Sequence, residues 1–158
     1  MAKPFDVKLR GLEGQRAELE TLRGEARRRM GRVVELRTGA VFRRWRKSMR
    51  GVKTGRTYKI KGRAHRASAP NEAPAIATRD FYRSIFRRVR GQRGEVGSNE
   101  PEATWLEFGT LKGGRMKRRP SLRPSIRAER KTWNRSVRRA LNGATRAARA
   151  QGRARRGR

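Results

Sequence analysis

The chain of 158 residues contains no cysteine and a single histidine, His65. Without cysteine it cannot form disulfides, thiolate metal sites or a thiol nucleophile. With one histidine, a catalytic triad or a zinc site would need an unusual set of partners. We therefore predict that the chain is not an enzyme and that it holds no cofactor and no metal ion.

Bulky apolar residues are also scarce. Leu, Ile, Val and Phe together make up about 16% of the chain, which is below the ~20% at which high charge favours disorder. No run approaches the ~18 apolar residues of a membrane span, and the opening MAKPFDVKLRG lacks the apolar stretch of a signal peptide. We expect a cytoplasmically made protein with no membrane contact and no small-molecule substrate, which folds weakly without partners.

Acidic residues are few, and this makes the chain strongly cationic. It has 45 Lys and Arg against 13 Asp and Glu, a net charge of +32, and residues 109–158 contain one acid, Glu129. This charge favours contact with a phosphate backbone or with an acidic protein surface, and the sequence leaves both open. No zinc-finger, RNA-binding or basic-zipper signature accompanies it, so we do not expect sequence-specific DNA recognition.

Apolar residues recur every three or four positions in two long segments. The first, residues 15–46, predicts a long helix with a weak point near Thr38 and Gly39, since glycine destabilises a helix interior. The second begins at Pro124 and predicts another long helix that ends before the basic residues 151–158.

Shorter elements are expected between the two helices. Alternation at Tyr58 and Ile60 predicts a short strand or hairpin. Residues 80–90 are typical of a short helix capped by Thr78, with Phe81, Ile85 and Val89 on one face, and a turn, a short strand and another turn follow it.

A further short helix is predicted at residues 101–108. Ser98 or Asn99 can cap it, Pro101 suits its first turn, and Gly109 is expected to end it. The fold class is therefore α+β: a long N-terminal helix, a small antiparallel sheet with short helices, a long C-terminal helix and a basic tail. We predict one domain over residues 1–141 and a flexible basic tail over residues 142–158.

Three blocks of the sequence, HRASAPNEAPAIATRDFYRSI, GEVGSNEPEATWLEFGT and RRPSLRPSI, resemble the tail-completion or head-tail joining proteins of the tailed-bacteriophage neck. The resemblance covers about residues 52–130. The matching residues are His65, Ala69, Pro70, Glu72, Pro74, Ser84, Ile85, Val96, Gly97, Pro101, Ala103, Leu106, Glu107, Phe108, Gly109, Thr110, Arg119, Pro120, Leu122, Arg123 and Pro124.

The chain departs from the family pattern at three positions. Arg79 stands where the family has glycine, and Glu102 and Ser121 stand where it has aromatic residues. We expect these departures to loosen the local packing.

The resemblance implies a structural protein of the virion that joins the tail tube to the head connector as part of a ring in the neck. Its implied partners are further copies of the chain, other neck proteins (adaptor, stopper, tail terminator or tail tube) and genomic DNA in the channel, with assembly in the host cytoplasm. The alternative is a nonspecific basic nucleic-acid-binding protein that acts in genome packaging or compaction.

Two groups of residues are candidates for these contacts. The resemblance implies a subunit interface at Trp105, Leu106, Glu107, Phe108, Gly109, Thr110, Arg119, Pro120, Leu122, Arg123 and Pro124. It also implies that the loop from Thr110 to Pro120 reaches a neighbouring subunit. The candidates for contact with DNA or an acidic partner are Arg115, Lys117, Arg118, Arg146, Arg149, Arg153, Arg155 and Arg156. Within the chain, we expect Glu107 to pair with the side chain of Arg119 or Arg123.

Overall fold

The computed structural model describes residues 12–77, 79–110 and 116–156. The fold is α+β and 61% helical, which confirms the predicted class. Its elements in chain order are α1 (Leu12–Arg50), β1 (Thr57–Ile60), β2 (Arg63–Arg66), α2 (Asp80–Ser84), β3 (Ile85–Arg90), β4 (Arg93–Ser98), α3 (Glu102–Phe108) and α4 (Leu122–Arg156).

The strands form two separate antiparallel hairpins. In the first, Tyr58 of β1 pairs with His65 of β2, as the alternation around residue 58 predicts. In the second, Ile85 of β3 pairs with Ser98 of β4. The predicted helix over residues 80–90 is wrong after Ser84, because the chain becomes extended at Ile85 and exchanges hydrogen bonds with β4 instead. Its predicted cap, Thr78, lies outside the described residues.

The two long helices α1 and α4 pack side by side in opposite directions. Gly152 near the end of α4 lies beside Glu18 near the start of α1, and Gly143 lies beside Arg29. Ala140, Ala144 and Ala148 of α4 are buried. These small side chains let the two helices approach closely, so this pair forms the frame of the molecule.

α4 continues beyond the predicted domain boundary at residue 141. Residues 142–156 are its last turns, where the prediction placed a flexible tail, and Ala144 and Ala148 are 0% and 2% exposed. The alanines continue the apolar repeat of the helix at steps of four residues, which keeps this part of α4 on the same buried side. Residues 157 and 158 lie outside the described residues.

α1 runs without interruption through the predicted weak point. The β3–β4 hairpin packs against this stretch: Gly94 lies against the Thr38 side chain, and the Arg87 guanidinium donates a hydrogen bond to the carbonyl of Glu35 at 3.3 Å. Thr38 and Gly39 are therefore buried. Tertiary packing offsets the intrinsic cost of the glycine, which is about 1 kcal/mol.

The apolar core is small, as the composition predicts. Its centre is Trp45, Met49 and Ile85, where the end of α1 meets the start of β3. The Trp45 ring meets Phe81 of α2 edge-on, with 6.2 Å between ring centroids.

One buried acid links the two cationic helices. Glu129 of α4 is 9% exposed, and its carboxylate accepts hydrogen bonds from Arg37 at 3.4 Å and from Arg44 at 3.2 Å. Both arginines belong to α1. These ion pairs therefore hold α1 and α4 together in a protein that has few apolar side chains to pack between them.

We expect Glu129→Gln to lower the free energy of unfolding by about 2 kcal/mol, because it leaves Arg37 and Arg44 close together without the anion between them. The measurement is urea unfolding followed by circular dichroism. Glu95→Gln is the matched control, since Glu95 is exposed on β4; its effect should stay within about 0.5 kcal/mol. Equal effects of the two substitutions would contradict this role of Glu129.

Candidate functional site

The three sequence blocks that carry the family resemblance meet in space. Asn71 of the first block donates its backbone N–H to the carbonyl of Arg118 at 2.9 Å, and the Arg118 Nε donates to Asn71 Oδ1, also at 2.9 Å. The backbone N–H of Arg119 donates to the carbonyl of Leu106 in α3 at 2.6 Å. We call the region formed by α3, residues 116–121 and the first turn of α4 the α3–α4 junction.

The Glu107 carboxylate holds the N-terminus of α4. Its Oε2 accepts the backbone N–H groups of Ser121 at 2.9 Å and Leu122 at 3.0 Å, and its Oε1 accepts that of Arg123 at 2.8 Å. The first N–H groups of a helix have no partner within the helix, and the N-terminus carries partial positive charge. One carboxylate therefore satisfies three donors, and Glu107 is only 8% exposed.

The predicted pairing of Glu107 with an arginine side chain is wrong. Arg123 contacts the carboxylate through its backbone N–H, and the Arg119 Nε donates instead to the carbonyl of Ser68 at 3.1 Å. Residues 121–123 approach Glu107 along their main chain, which brings amides rather than guanidinium groups to the acid. Glu107, predicted as an interface residue, is thus buried and bonded within the chain.

Ser121 connects the junction to α1. Its hydroxyl accepts the indole N–H of Trp45 at 2.7 Å, and its carbonyl accepts the hydroxyl of Ser125 at 2.7 Å. Ser121 and Trp45 are 3% and 2% exposed. The departure from the family pattern at position 121, expected to loosen packing, thus provides a buried hydrogen bond between α1 and the residue that precedes α4.

Gly109 ends α3 as predicted. Its φ is 82°, and a Cβ at this position would lie 3.0 Å from the carbonyl oxygen of Met116. Both the positive φ and the close approach favour glycine. Thr110 donates its backbone N–H to the same Met116 oxygen at 3.2 Å, which fixes the ends of the loop. Residues 111–115, the middle of the loop predicted to reach a neighbouring subunit, lie outside the described residues.

Two large aromatic side chains point outward from α3. Trp105 is 50% exposed and Phe108 is 60% exposed, and the Arg123 guanidinium lies 5.2 Å from the centroid of the Phe108 ring. We call Trp105, Phe108 and Arg123 the aromatic face. Pro124 is also exposed. The remaining predicted interface residues are half-buried: Leu106, Gly109, Thr110, Arg119, Pro120 and Leu122.

A groove of about 440 Å³ runs beside the aromatic face. Its lining includes Trp105 and Leu106 of α3 together with Tyr58, Ile76 and Tyr82. Three acids also lie along it: Asp80, Glu100 and Glu102. In the described ranges, no group of three or more His, Cys, Asp or Glu side chains is arranged to hold a metal ion.

The bases predicted to contact DNA or an acidic partner fall into two places. Lys117 and Arg118 are exposed in the segment before α4, where the Arg118 side chain is engaged with Asn71. Arg146, Arg149 and Arg153 are exposed on α4. Arg115 and the side chains of Arg155 and Arg156 lie outside the described residues. No helix in the described ranges has the length and apolar character needed to cross a membrane.

No protein-family model, curated protein or solved structure matches this chain.

Sequence reasoning missed the buried contacts of Trp45, Ser121 and Glu129. Glu129 is the one acid among the last 50 residues. This could have indicated its ion pairs, because a lone acid on a basic helix lies near several cations. The Trp45–Ser121 contact joins residues 76 positions apart, so local spacing could not indicate it.

We expect Glu107→Ala to lower the free energy of unfolding by about 2–4 kcal/mol, because it leaves three backbone donors at a buried helix end without their acceptor. Glu107→Gln keeps one acceptor oxygen and should lower it by about half as much. The control is Glu102→Ala, which removes an exposed acid from the same helix. Urea unfolding of the wild type and the three variants measures the free energy of unfolding. If Glu107→Ala lowers it no more than Glu102→Ala does, the capping role is disproved.

Glu72, next to the junction, organises the loop that leads into it. Its carboxylate accepts hydrogen bonds from the Thr54 hydroxyl at 2.5 Å, the Ala69 N–H at 2.8 Å and the Thr54 N–H at 3.2 Å. These bonds, with a smaller attraction from Lys53, lower the pKa of Glu72 below its ordinary value of 4.5. The loop is therefore held by the ionised carboxylate.

Because the folded-state pKa of Glu72 is lowered, its contribution to stability is present above the ordinary pKa and is lost as the pH falls through the folded-state value. An NMR titration of the Ala69 amide should show a midpoint below 4.5. Thr54→Val removes the hydroxyl donor and should move the midpoint upward. A wild-type midpoint at or above the ordinary value would contradict these hydrogen bonds.

Proposed function

We propose that this protein is a structural component of a tailed-phage virion, which joins the tail tube to the head connector as a subunit of a ring in the neck. The observation that carries the proposal is the aromatic face, where Trp105 and Phe108 are exposed on a short helix whose position is fixed by buried Glu107. Trp and Arg are enriched among the residues that dominate protein–protein binding energy. A rigid aromatic face beside a groove supports docking of a neighbouring subunit.

The charge and the small core support the same proposal. A chain of net charge +32 repels itself, and in the described residues the central apolar cluster is small, with Trp45, Met49 and Ile85 buried at its centre. Contact with the acidic surfaces of adaptor, stopper, tail-terminator or tail-tube proteins lowers that repulsion and covers the exposed apolar surface. The proposal therefore predicts that the fold gains stability from its neighbours.

The second candidate is a nonspecific nucleic-acid-binding protein that acts in genome packaging or compaction. The exposed bases Arg146, Arg149 and Arg153 on α4 favour it. This function does not require the aromatic face. Substitution of Trp105 and Phe108 therefore separates the two candidates.

We expect the Trp105→Ala, Phe108→Ala double variant to be incorporated into particles at least about tenfold less than the wild type, because it removes two anchors of the interface. The measurement is the amount of the chain in purified particles of the encoding phage, by immunoblot. Leu36→Ala with Val52→Ala is the control, since both side chains are exposed elsewhere, at 60% and 91%. Circular dichroism checks that both variants remain helical.

Absence of the wild-type chain from particles, or equal incorporation of both variants, would overturn the proposed function. The flanking genes give an independent test, since a neck protein is expected beside genes for portal, capsid and tail-tube proteins.

A further inference from the structure

One side of α4 carries a long basic stripe. From Arg127 to Arg153, eight positions follow one another at steps of three or four residues, and seven are basic. An α-helix has 3.6 residues per turn, so this spacing keeps all eight side chains on one side over about 39 Å. The stripe consists of Arg127, Lys131, Arg135, Arg138, Asn142, Arg146, Arg149 and Arg153.

The stripe is free to meet a partner. All eight side chains are exposed, and none of the seven bases forms a salt bridge with an acid in the part of the chain that the structure describes. The acid of α4, Glu129, is buried against Arg37 and Arg44. Ala140, Ala144 and Ala148 are buried on the other side of α4, so its packing fixes the stripe outward.

The composition of the stripe favours a phosphate polymer over an acidic protein. Its eight positions hold no apolar or aromatic side chain, whereas protein interfaces depend on apolar and aromatic anchors. The large exposed apolar residues of α4, Ile126 and Leu141, lie outside these positions. A row of positive charges without apolar or aromatic anchors suits binding to a phosphate backbone, which needs positive charge but no particular nucleotide sequence.

The rigidity of the stripe favours a duplex over a single strand. Proteins that bind single strands stack the bases on aromatic side chains, and the stripe has none. Its bases are spread at regular intervals along about 39 Å of one helix, which matches a stiff partner of regular charge. We propose that the basic stripe of α4 binds the phosphate backbone of double-stranded DNA without reading its sequence.

This inference deepens the second candidate function, because it names the duplex as the ligand and the whole stripe as its site, and it does not rest on the neck function. For the proposed neck protein, the inference places the DNA-facing surface along the whole outer side of α4, and not at its C-terminal bases alone. Particle incorporation tests the neck function through Trp105 and Phe108, whereas duplex binding tests the stripe, so each can fail separately.

The experiment measures binding of the full chain to a fluorescent 30-base-pair duplex of random sequence, by anisotropy, between 50 and 400 mM salt. The stripe variant replaces four bases with glutamine: Lys131, Arg135, Arg138 and Arg146. The control variant replaces four exposed bases of α1 with glutamine: Arg23, Arg32, Arg43 and Lys47. Both variants lose the same charge, and circular dichroism confirms that both remain helical.

We expect the logarithm of the wild-type binding constant to fall with the logarithm of salt concentration. Each lost phosphate contact flattens the slope by about 0.9, so the stripe variant should have a slope flatter by about 2–3.5. Its affinity at low salt should fall at least about tenfold, while the slope of the control variant changes by less than about 1. Equal changes in the two variants would overturn the proposal, since they would show dependence on net charge alone.

Competition distinguishes phosphate from carboxylate partners. Poly-L-glutamate at the same charge concentration should displace the labelled duplex much less effectively than unlabelled duplex does. Equal displacement by the two polymers, or a wild-type slope near zero, would overturn the proposal.

Discussion

The contact between the Glu107 carboxylate and the first amides of α4 is the interaction on which the candidate site depends. It fixes α3 against α4 through the N–H groups of Ser121, Leu122 and Arg123. Because Glu107 faces inward, its neighbours Trp105 and Phe108 face outward on the same short helix. Ser121 then connects this arrangement to α1 through Trp45. A buried acid thus determines which aromatic side chains are exposed on α3.

The few acids of the chain have a disproportionate structural role because apolar residues are scarce. Glu129 joins α1 to α4, Glu107 caps α4, and Glu72 holds the loop after β2. Each lies among cations or backbone donors, where one negative charge satisfies two or three groups. The positive charge then remains on the outer surface, which includes the basic stripe. The same shortage of acids therefore shapes both the interior and the surface of the molecule.

Residue patterns predicted the elements that are stabilised by interactions within the same segment. They failed where contacts with distant segments determine the local structure. The spacing of apolar residues predicted both long helices, and Gly109 predicted the end of α3. The helix expected over residues 80–90 became β3 after Ser84, because pairing with β4 and the turn at Gly91 outweigh local helical spacing. Similarly, Glu107 finds its donors 14–16 residues away, and no local pattern specifies which groups an acid meets at that separation.

Hydrogen exchange of three backbone amides tests this account most directly. Amides in the first turn of a helix usually exchange quickly, since they have no partner within the helix. The account predicts that the Ser121, Leu122 and Arg123 amides of the full chain are protected as strongly as amides in the middle of α4. Exchange of these three amides at the rate of a free helix end would contradict the central role of Glu107.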